Sequence, residues 1–337
     1  MTTTDPAAAA PHQAFAADAP LPAIGDVRAA ARRISGVVRR TPLVRSDALS
    51  ELAGTDVWLK LETLQRTGAF KLRGAYNFVA SLADAERARG LVTASAGNHG
   101  ISVALSARLL GARAVVFVPD DAPEGKRRRI AREGAELRLV AGGYDAAHAA
   151  AEAFAEESGA RFVNAFSDPA VVAGQGTVGL EIFEERPSIR TVVTPAGGGG
   201  LIGGIGVVAR AIGDGVRVVG VQTDETAALH ASLAAGRPTS SVYGPTLCEG
   251  LSGDIDERAF RLAREVVDEV VLVSEDAVRR AIRWLAAEEG IIAEGSAAVS
   301  VAALLEGAAG EMRGPVAVVL TGSNLDAGRL AAILSGD

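Results

Sequence analysis

Short, nearly unbroken runs of valine, isoleucine and leucine recur along this chain at strand length, and they constrain its fold more than any other feature. They fall at 57–61, 91–95, 114–119, 137–140, 161–164, 191–195, 216–222, 269–273 and 316–321. A strand with one wet face alternates apolar and polar residues. A strand covered on both faces has no such need, so continuous runs point to parallel sheets sandwiched by helices. Helical spacing fills the intervals, at 26–34, from Lys71 to about 82, and at 100–110, 124–133, 146–157, 170–185, 202–212, 256–267, 276–289 and 296–306. The chain therefore reads as α/β with two domains, each a mostly parallel sheet covered by helices. The smaller is placed at 89–165, inserted into a larger one assembled from 23–88 and 166–337. The crevice between them is the expected ligand site, because parallel sheets bind at the carboxyl ends of their strands.

The remaining features exclude several classes. A formal charge of -7 gives no basic footprint for nucleic acid. The one local basic run, Lys126–Arg129, reads as a solvated helix face. A single cysteine, Cys248, excludes an intramolecular disulfide and fits a reducing, cytoplasmic setting. No apolar stretch reaches twenty residues, so no membrane span is expected. Residues 1–22 are rich in Ala and Pro, lack Lys and Arg, and read as a disordered tail rather than a targeting signal.

Chemistry concentrates at a few places. Of 34 lysines and arginines only three are lysine, at 60, 71 and 126. Arg cannot lose its proton or form a Schiff base; a desolvated Lys can do both. Lys71 lies in TGAFKLRG between Phe70 and Leu72, a half-buried setting. Taken alone it also fits a lysine whose stem lies along an apolar helix face. Gly197, Gly198, Gly199, Gly200 and Leu201 stand between a strand and a helix, where backbone N–H groups converge on an anion. The same run satisfies the dinucleotide pattern at Gly198, Gly200 and Gly203, with Asp224 near the place of a ribose-binding acid. The pattern recurs in AGQGTVG at Gly174, Gly176 and Gly179 with no strand before it. Ser95, Ala96, Gly97, Asn98 and His99 follow another strand and offer donors to a carboxylate or phenolate. Thr321 to Asn324 end the last strand. Four histidines, none paired at ligand spacing, give no metal site. A phosphate cradle together with a lysine able to form a Schiff base implies pyridoxal 5'-phosphate.

The blocks TGAFKLRGA, TASAGNHG, DPAVVAGQGTVGLEI, PAGGGGL, TLCEG, AEGSAA and LTGSN resemble those of the serine/threonine dehydratases, pyridoxal-phosphate enzymes with the tryptophan-synthase-β-like fold (fold type II). The resemblance implies that Lys71 is the Schiff-base lysine and the base at Cα. It implies that Phe70 and Gly250 flank the cofactor ring, that Gly197 to Leu201 hold the phosphate, and that Asn98 bonds the 3′-oxygen. It places Thr321 at the ring nitrogen, Ser95 to His99 on the substrate carboxylate, and Glu294 in the lining. Gln222 and Ala228 stand where metal-binding relatives carry carboxylates, so no divalent ion is expected. Racemases of the family carry Ser where this chain has Ala96, so the second acid/base they need is missing.

The implied reaction removes water from L-threonine, L-serine or a related 3-hydroxy amino acid, giving a 2-oxo acid and ammonia, in a homodimer or homotetramer. The alternatives are a serine racemase or a dehydratase of another 3-hydroxy amino acid, an NAD-dependent oxidoreductase using Gly198–Gly203, and a non-catalytic binding protein of the same fold.

Overall fold

The structure, a computed structural model, describes residues 20–213, 215–240 and 244–336. Residues 1–19 of the expected tail lie outside these; Leu21 already packs against the core of the larger sheet.

The chain opens with α1 (Ile24–Ile34), β1 (Leu43–Ser46), α2 (Asp47–Ala53), β2 (Val57–Leu61), α3 (Lys71–Ser81) and α4 (Asp84–Ala88). Then come β3 (Leu91–Ala94), α5 (Asn98–Leu109), β4 (Ala114–Pro119), α6 (Glu124–Arg132), β5 (Glu136–Val140), α7 (Gly143–Ser158) and β6 (Arg161–Phe162). The last part holds α8 (Pro169–Glu185), β7 (Thr191–Pro195), α9 (Gly200–Ile212), β8 (Arg217–Thr223), α10 (Ala228–Ala235) and α11 (Glu257–Val266). It closes with β9 (Glu269–Val273), α12 (Glu275–Glu288), α13 (Gly295–Leu305), β10 (Val316–Leu320) and α14 (Ala327–Ser335). Two sheets result, a six-stranded one in the order β1-β2-β10-β7-β8-β9 and a four-stranded one in the order β5-β4-β3-β6. Every pairing is parallel except β1 with β2.

The centre of the larger sheet explains the unbroken apolar runs. Along β10, Val316, Val318 and Leu320 enter one core, beside Ala298, Val301 and Ala302 of α13. The alternate residues Ala317 and Val319 enter a second core, with Ile202 and Ile205 of α9. Period two survives, but both faces are apolar. Each fully buried valine contributes roughly 1.5–3 kcal/mol. Strand β1 escapes this logic: its middle two residues are exposed, and its pairing is antiparallel at an edge. A segment at 41–43 reads from sequence only as an extended lead-in, because its hydrogen bonds come from β2 rather than from its own composition. Helices α2, α4, α10 and α14 are likewise short and absent from the sequence reading.

The glycines of AGQGTVG lie inside α8 and serve packing. A Cβ on Gly174 would stand 2.5 Å from the Arg73 carbonyl oxygen of α3, and one on Gly176 2.8 Å from that of Gly204 in α9. Three helices therefore cross at backbone contact, and α3, which begins at Lys71, is clamped against α8. A second clamp is ionic. Arg73 donates to both oxygens of Glu62 (2.9 and 2.7 Å) and of Glu181 (2.6 and 2.9 Å), and Lys60 donates to Glu181 (2.6 Å) and the Thr41 carbonyl (2.7 Å).

The basic run at the start of α6 is partly solvated, as expected, but two of its charges also have partners. Lys126 pairs with Glu249 (2.5 Å) and Arg129 reaches the Thr67 carbonyl (3.5 Å), both across from the smaller sheet unit to the larger. The charges face a partner that only the folded chain brings near.

Candidate active site

Two loops from distant parts of the chain pair with each other. The loop before α3 runs antiparallel to the one after β10, with Ala69 opposite Gly322. Phe70 N–H donates to the Thr321 carbonyl (3.0 Å) and Ser323 N–H to that of Gly68 (2.9 Å). Gly68 takes φ +74, and a Cβ there would lie 2.5 Å from Asn324 Oδ1, so glycine is required on both counts. Asn324 Nδ2 donates to the Thr67 carbonyl (2.9 Å) and to Asn98 Oδ1 (2.5 Å). These contacts bring Lys71, Thr321 and Asn98 together from three strand ends.

Lys71 opens α3. Its Nζ donates to the Ala165 carbonyl (2.9 Å) and lies 5.2 Å from the Phe70 ring centre. Among the described residues no carboxylate is within ion-pair reach. Burial, uncompensated, lowers the amine's pKa from 10.5 to about 8. At pH 7 roughly a tenth of the amine is then unprotonated, against well under a thousandth at the ordinary value.

Asn98, the first residue of α5, donates to Glu294 Oε1 (2.7 Å), and Asn324 N–H donates to Glu294 Oε2 (3.2 Å). Burial nevertheless pushes the Glu294 carboxyl up to about 7, against these two donors. The His99 side chain is buried, and its Nε2–H donates to the Val163 carbonyl (2.9 Å). Burial and the nearby Lys71 charge lower its pKa to about 3, so it stays neutral. Only its backbone N–H remains available at the helix start. Ser95 Oγ accepts from Gly97 N–H (3.2 Å), and the Ala96 methyl packs on the core beside Ile101 and Ile130. The carboxylate-binding capacity of 95–99 therefore rests on the first N–H groups of α5, which lack intrahelical partners.

The glycine loop ends β7 and starts α9, with Gly199 at φ +88 as its cap. A Cβ on Gly198 would meet the Phe166 ring at 2.5 Å, and one on Gly200 the Phe166 carbonyl oxygen at 2.4 Å. A Cβ on Gly197 would lie 3.1 Å from the Leu251 Cα, next to Gly250. The unpaired N–H groups at the start of α9 and the helix dipole suit a phosphate. Gly250 N–H donates to Ser296 Oγ (3.0 Å), and Thr321 Oγ1 to the Ser296 carbonyl (3.3 Å), so Ser296 joins two of the expected ring contacts. Leu201 is buried behind the loop.

Gln222 and Ala228 are both buried, and the Gln222 amide is engaged by Thr226 and His230. Among the described residues no group of three His, Cys, Asp or Glu is placed to hold a metal ion, and no helix is long and apolar enough to cross a membrane.

A fold of this kind with a desolvated lysine beside a strand-to-helix glycine loop defines a pyridoxal-phosphate enzyme, and the chain belongs to the pyridoxal-phosphate dependent enzyme family, whose model matches residues 34–322. Within that family it is 42% identical over 315 residues to the L-threonine ammonia-lyase of Thermotoga maritima, covering 92% of this chain and 77% of the relative. It is 37% identical to the catabolic L-threonine dehydratase of Escherichia coli K12, covering 92% and 95%. The structure of maize serine racemase superposes with a TM-score of 0.89 at 30% identity, covering 94% of this chain and 98% of that one. The oxidoreductase alternative falls here. The cofactor is pyridoxal 5'-phosphate, and the residues present fit it: an amine that loses its proton near pH 8, unpaired N–H groups for a phosphate, and a neutral hydroxyl at Thr321.

Three residues of the site escaped the sequence reading. Ser296 stands inside AEGSAA, so its block was the available signal, whereas Asn324 was read only as part of the last strand's end. Ala165 and Phe166 carried none, because a carbonyl and a ring acting as a floor have no residue-type signature.

Proposed function

We propose that this enzyme eliminates water from L-threonine or L-serine, releasing a 2-oxo acid and ammonia. The observation that carries the proposal is the Lys71 amine, buried, without a carboxylate partner, and held beside the glycine loop. Bound pyridoxal phosphate supplies an electron sink for negative charge at the substrate's Cα. Lys71 takes the Cα proton, being an amine that burial brings down to about 8 and that no carboxylate holds in its charged form. The N–H groups of Asn98 and His99 at the start of α5 bind the substrate carboxylate, and Asn98, fixed by Glu294 and Asn324, orients it. Phe70, Gly250 and Thr321 bracket the ring, and Gly197 to Leu201 hold the phosphate. Thr321, a hydroxyl, does not force a proton onto the ring nitrogen, and this favours prompt loss of the β-hydroxyl over a long-lived carbanion.

Two relatives named as L-threonine ammonia-lyase and L-threonine dehydratase support the substrate class. The likeness to maize serine racemase keeps a racemase as the second reading. Ala96 weighs against it, since a methyl packed on the smaller sheet's core donates no proton to the opposite face of Cα. Residues 23–88 with 166–337 form the larger, cofactor-binding domain and 89–165 a smaller one, in a cytoplasmic homo-oligomer that needs no divalent ion. The test is a product assay with borohydride mapping. Pyruvate or 2-oxobutanoate should form with little D-amino acid, and reduction should fix the cofactor on Lys71. D-serine appearing as fast as pyruvate would establish the racemase instead.

A further inference from the structure

The turn 163–168 carries the chain from the edge of the smaller sheet back to the larger one, and its contacts reach three parts of the site. The Val163 carbonyl accepts from Thr93 Oγ1 (3.0 Å) and His99 Nε2 (2.9 Å), which anchors the turn on β3 and α5. The Ala165 carbonyl accepts from the Lys71 amine (2.9 Å). Phe166 fills the space that Cβ atoms on Gly198 and Gly200 would need. Asp168 then caps α8 through Ala170 N–H (2.7 Å) and Val171 N–H (3.4 Å).

One side chain shapes the turn between these anchors. Asn164 Oδ1 accepts from the N–H of Phe166 (2.9 Å) and of Ser167 (2.8 Å). The Phe166 N–H and the Ala165 carbonyl belong to one planar trans peptide, so they point in opposite directions. Holding the N–H on Asn164 therefore aims the carbonyl the other way, at Lys71. The same grip sets where the Phe166 ring lies under the glycine loop.

We infer that Asn164 is a positioning residue that couples the Lys71 amine to the phosphate loop through the Ala165–Phe166 peptide. The inference rests on the reading of Lys71 and Gly197–Gly200 as the cofactor site. It requires an acceptor oxygen at position 164 and nothing else of that side chain, so Asn164→Asp keeps the device and Asn164→Ala removes it.

The test compares holoenzymes of the wild type, Asn164→Ala and Asn164→Asp. Asn164→Ala should release pyridoxal phosphate about tenfold faster on dilution, the scale of one lost hydrogen bond. Asn164→Asp should match the wild type. A second readout uses the three lysines. In the chain dialysed free of cofactor, acetylation of Lys71 is measured against partly exposed Lys126, whose pairing with Glu249 is the same in every variant. A carbonyl acceptor favours the charged amine, so its loss should raise the Lys71 to Lys126 ratio about threefold in Asn164→Ala only. Unchanged release and labelling in Asn164→Ala would overturn the inference. So would equal changes in both variants with a fall in melting temperature, since that marks a general packing role. Borohydride mapping of the wild type separates the underlying reading: a cofactor fixed on Lys60 or Lys126 would overturn the site assignment, and this inference with it.

Discussion

Lys60 and Lys71 are both inside the protein, one on β2 and one at the start of α3, yet they are opposite kinds of amine. Lys60 is fully buried and meets Glu181 at 2.6 Å and a backbone carbonyl at 2.7 Å. It belongs to a balanced set of two cations and two carboxylates with Glu62 and Arg73. Burial lowers its pKa, but Glu181 and Glu62 oppose the shift. Lys71 is less enclosed and has only the Ala165 carbonyl, so nothing offsets its desolvation. Burial alone does not make a nucleophile. Burial without a compensating anion does, and the anion that Lys71 lacks is used next door, where Glu62 holds Arg73 two positions further along α3.

The comparison breaks most visibly in activity. On the function proposed above, Lys71→Ala should lower elimination at least ~1000-fold, because it would remove both the cofactor's attachment and the base at Cα. The fold should persist, since no ion pair is lost. Rates of 2-oxo acid release and a circular dichroism melt measure the two effects. More than a trace of turnover in this variant would show that another group abstracts the proton.

Lys60→Met is expected to do the reverse. It strands Glu181 beside Arg73 with one cation too few, and breaking a buried pair costs roughly 3–5 kcal/mol. Urea unfolding should register that loss, while turnover per bound cofactor stays close to the wild type. A variant that is stable but inactive would mean that the ion cluster acts on the chemistry and is more than the footing of α3.

A pH experiment sharpens the contrast at a smaller scale. Unfolded Lys71 holds its proton up to about 10.5, whereas the folded chain releases it near 8. Between these values the unfolded state binds more protons, so stability rises with pH. Below 8 both states are protonated and the whole cost of burying the charge is present. The cofactor-free chain should therefore gain stability from pH 8 to 10 relative to Lys71→Met, whose difference curve removes every other titrating group. Parallel curves would place the Lys71 pKa at its ordinary value.

How much of this was legible in sequence follows from where each interaction closes. The strand β10 could be read because both its faces are apolar within five residues. Lys71 and the glycine loop could be read because rarity and a strand-to-helix position are local properties. His99 could not be placed: its position at the start of α5 is local, but the ring's destination is Val163, on another strand. Asn324 and Asn98 meet across 226 positions, and only the pairing of Ala69 with Gly322 brings them into reach. Edge strand β1 was hidden for the same reason, since half of it is wet and its order comes from β2.

The third lysine completes the comparison with the smallest effect. Lys126 pairs with Glu249 at 2.5 Å, and Glu249 also pairs with Arg329 at 2.6 Å, so a carboxylate next to Gly250 is held from α6 on one side and α14 on the other. These side chains are partly exposed, with Lys126 at 35% and Glu249 at 50%. Water screens such a pair, and its loss is worth about 0–1 kcal/mol. Glu249 keeps Arg329 when Lys126 is removed, so no charge is stranded in the way that Lys60→Met strands Glu181. Lys126→Ala should therefore leave the fold and turnover near the wild type. Any loss of stability should stay below ~1 kcal/mol and vanish in 0.5 M salt, where the Debye length falls to roughly 4 Å. Denaturant melts at low and high salt measure this. A loss above ~2 kcal/mol that salt does not remove would mean that Lys126 is buried in the working protein and belongs with Lys60, not with the solvent-facing charges.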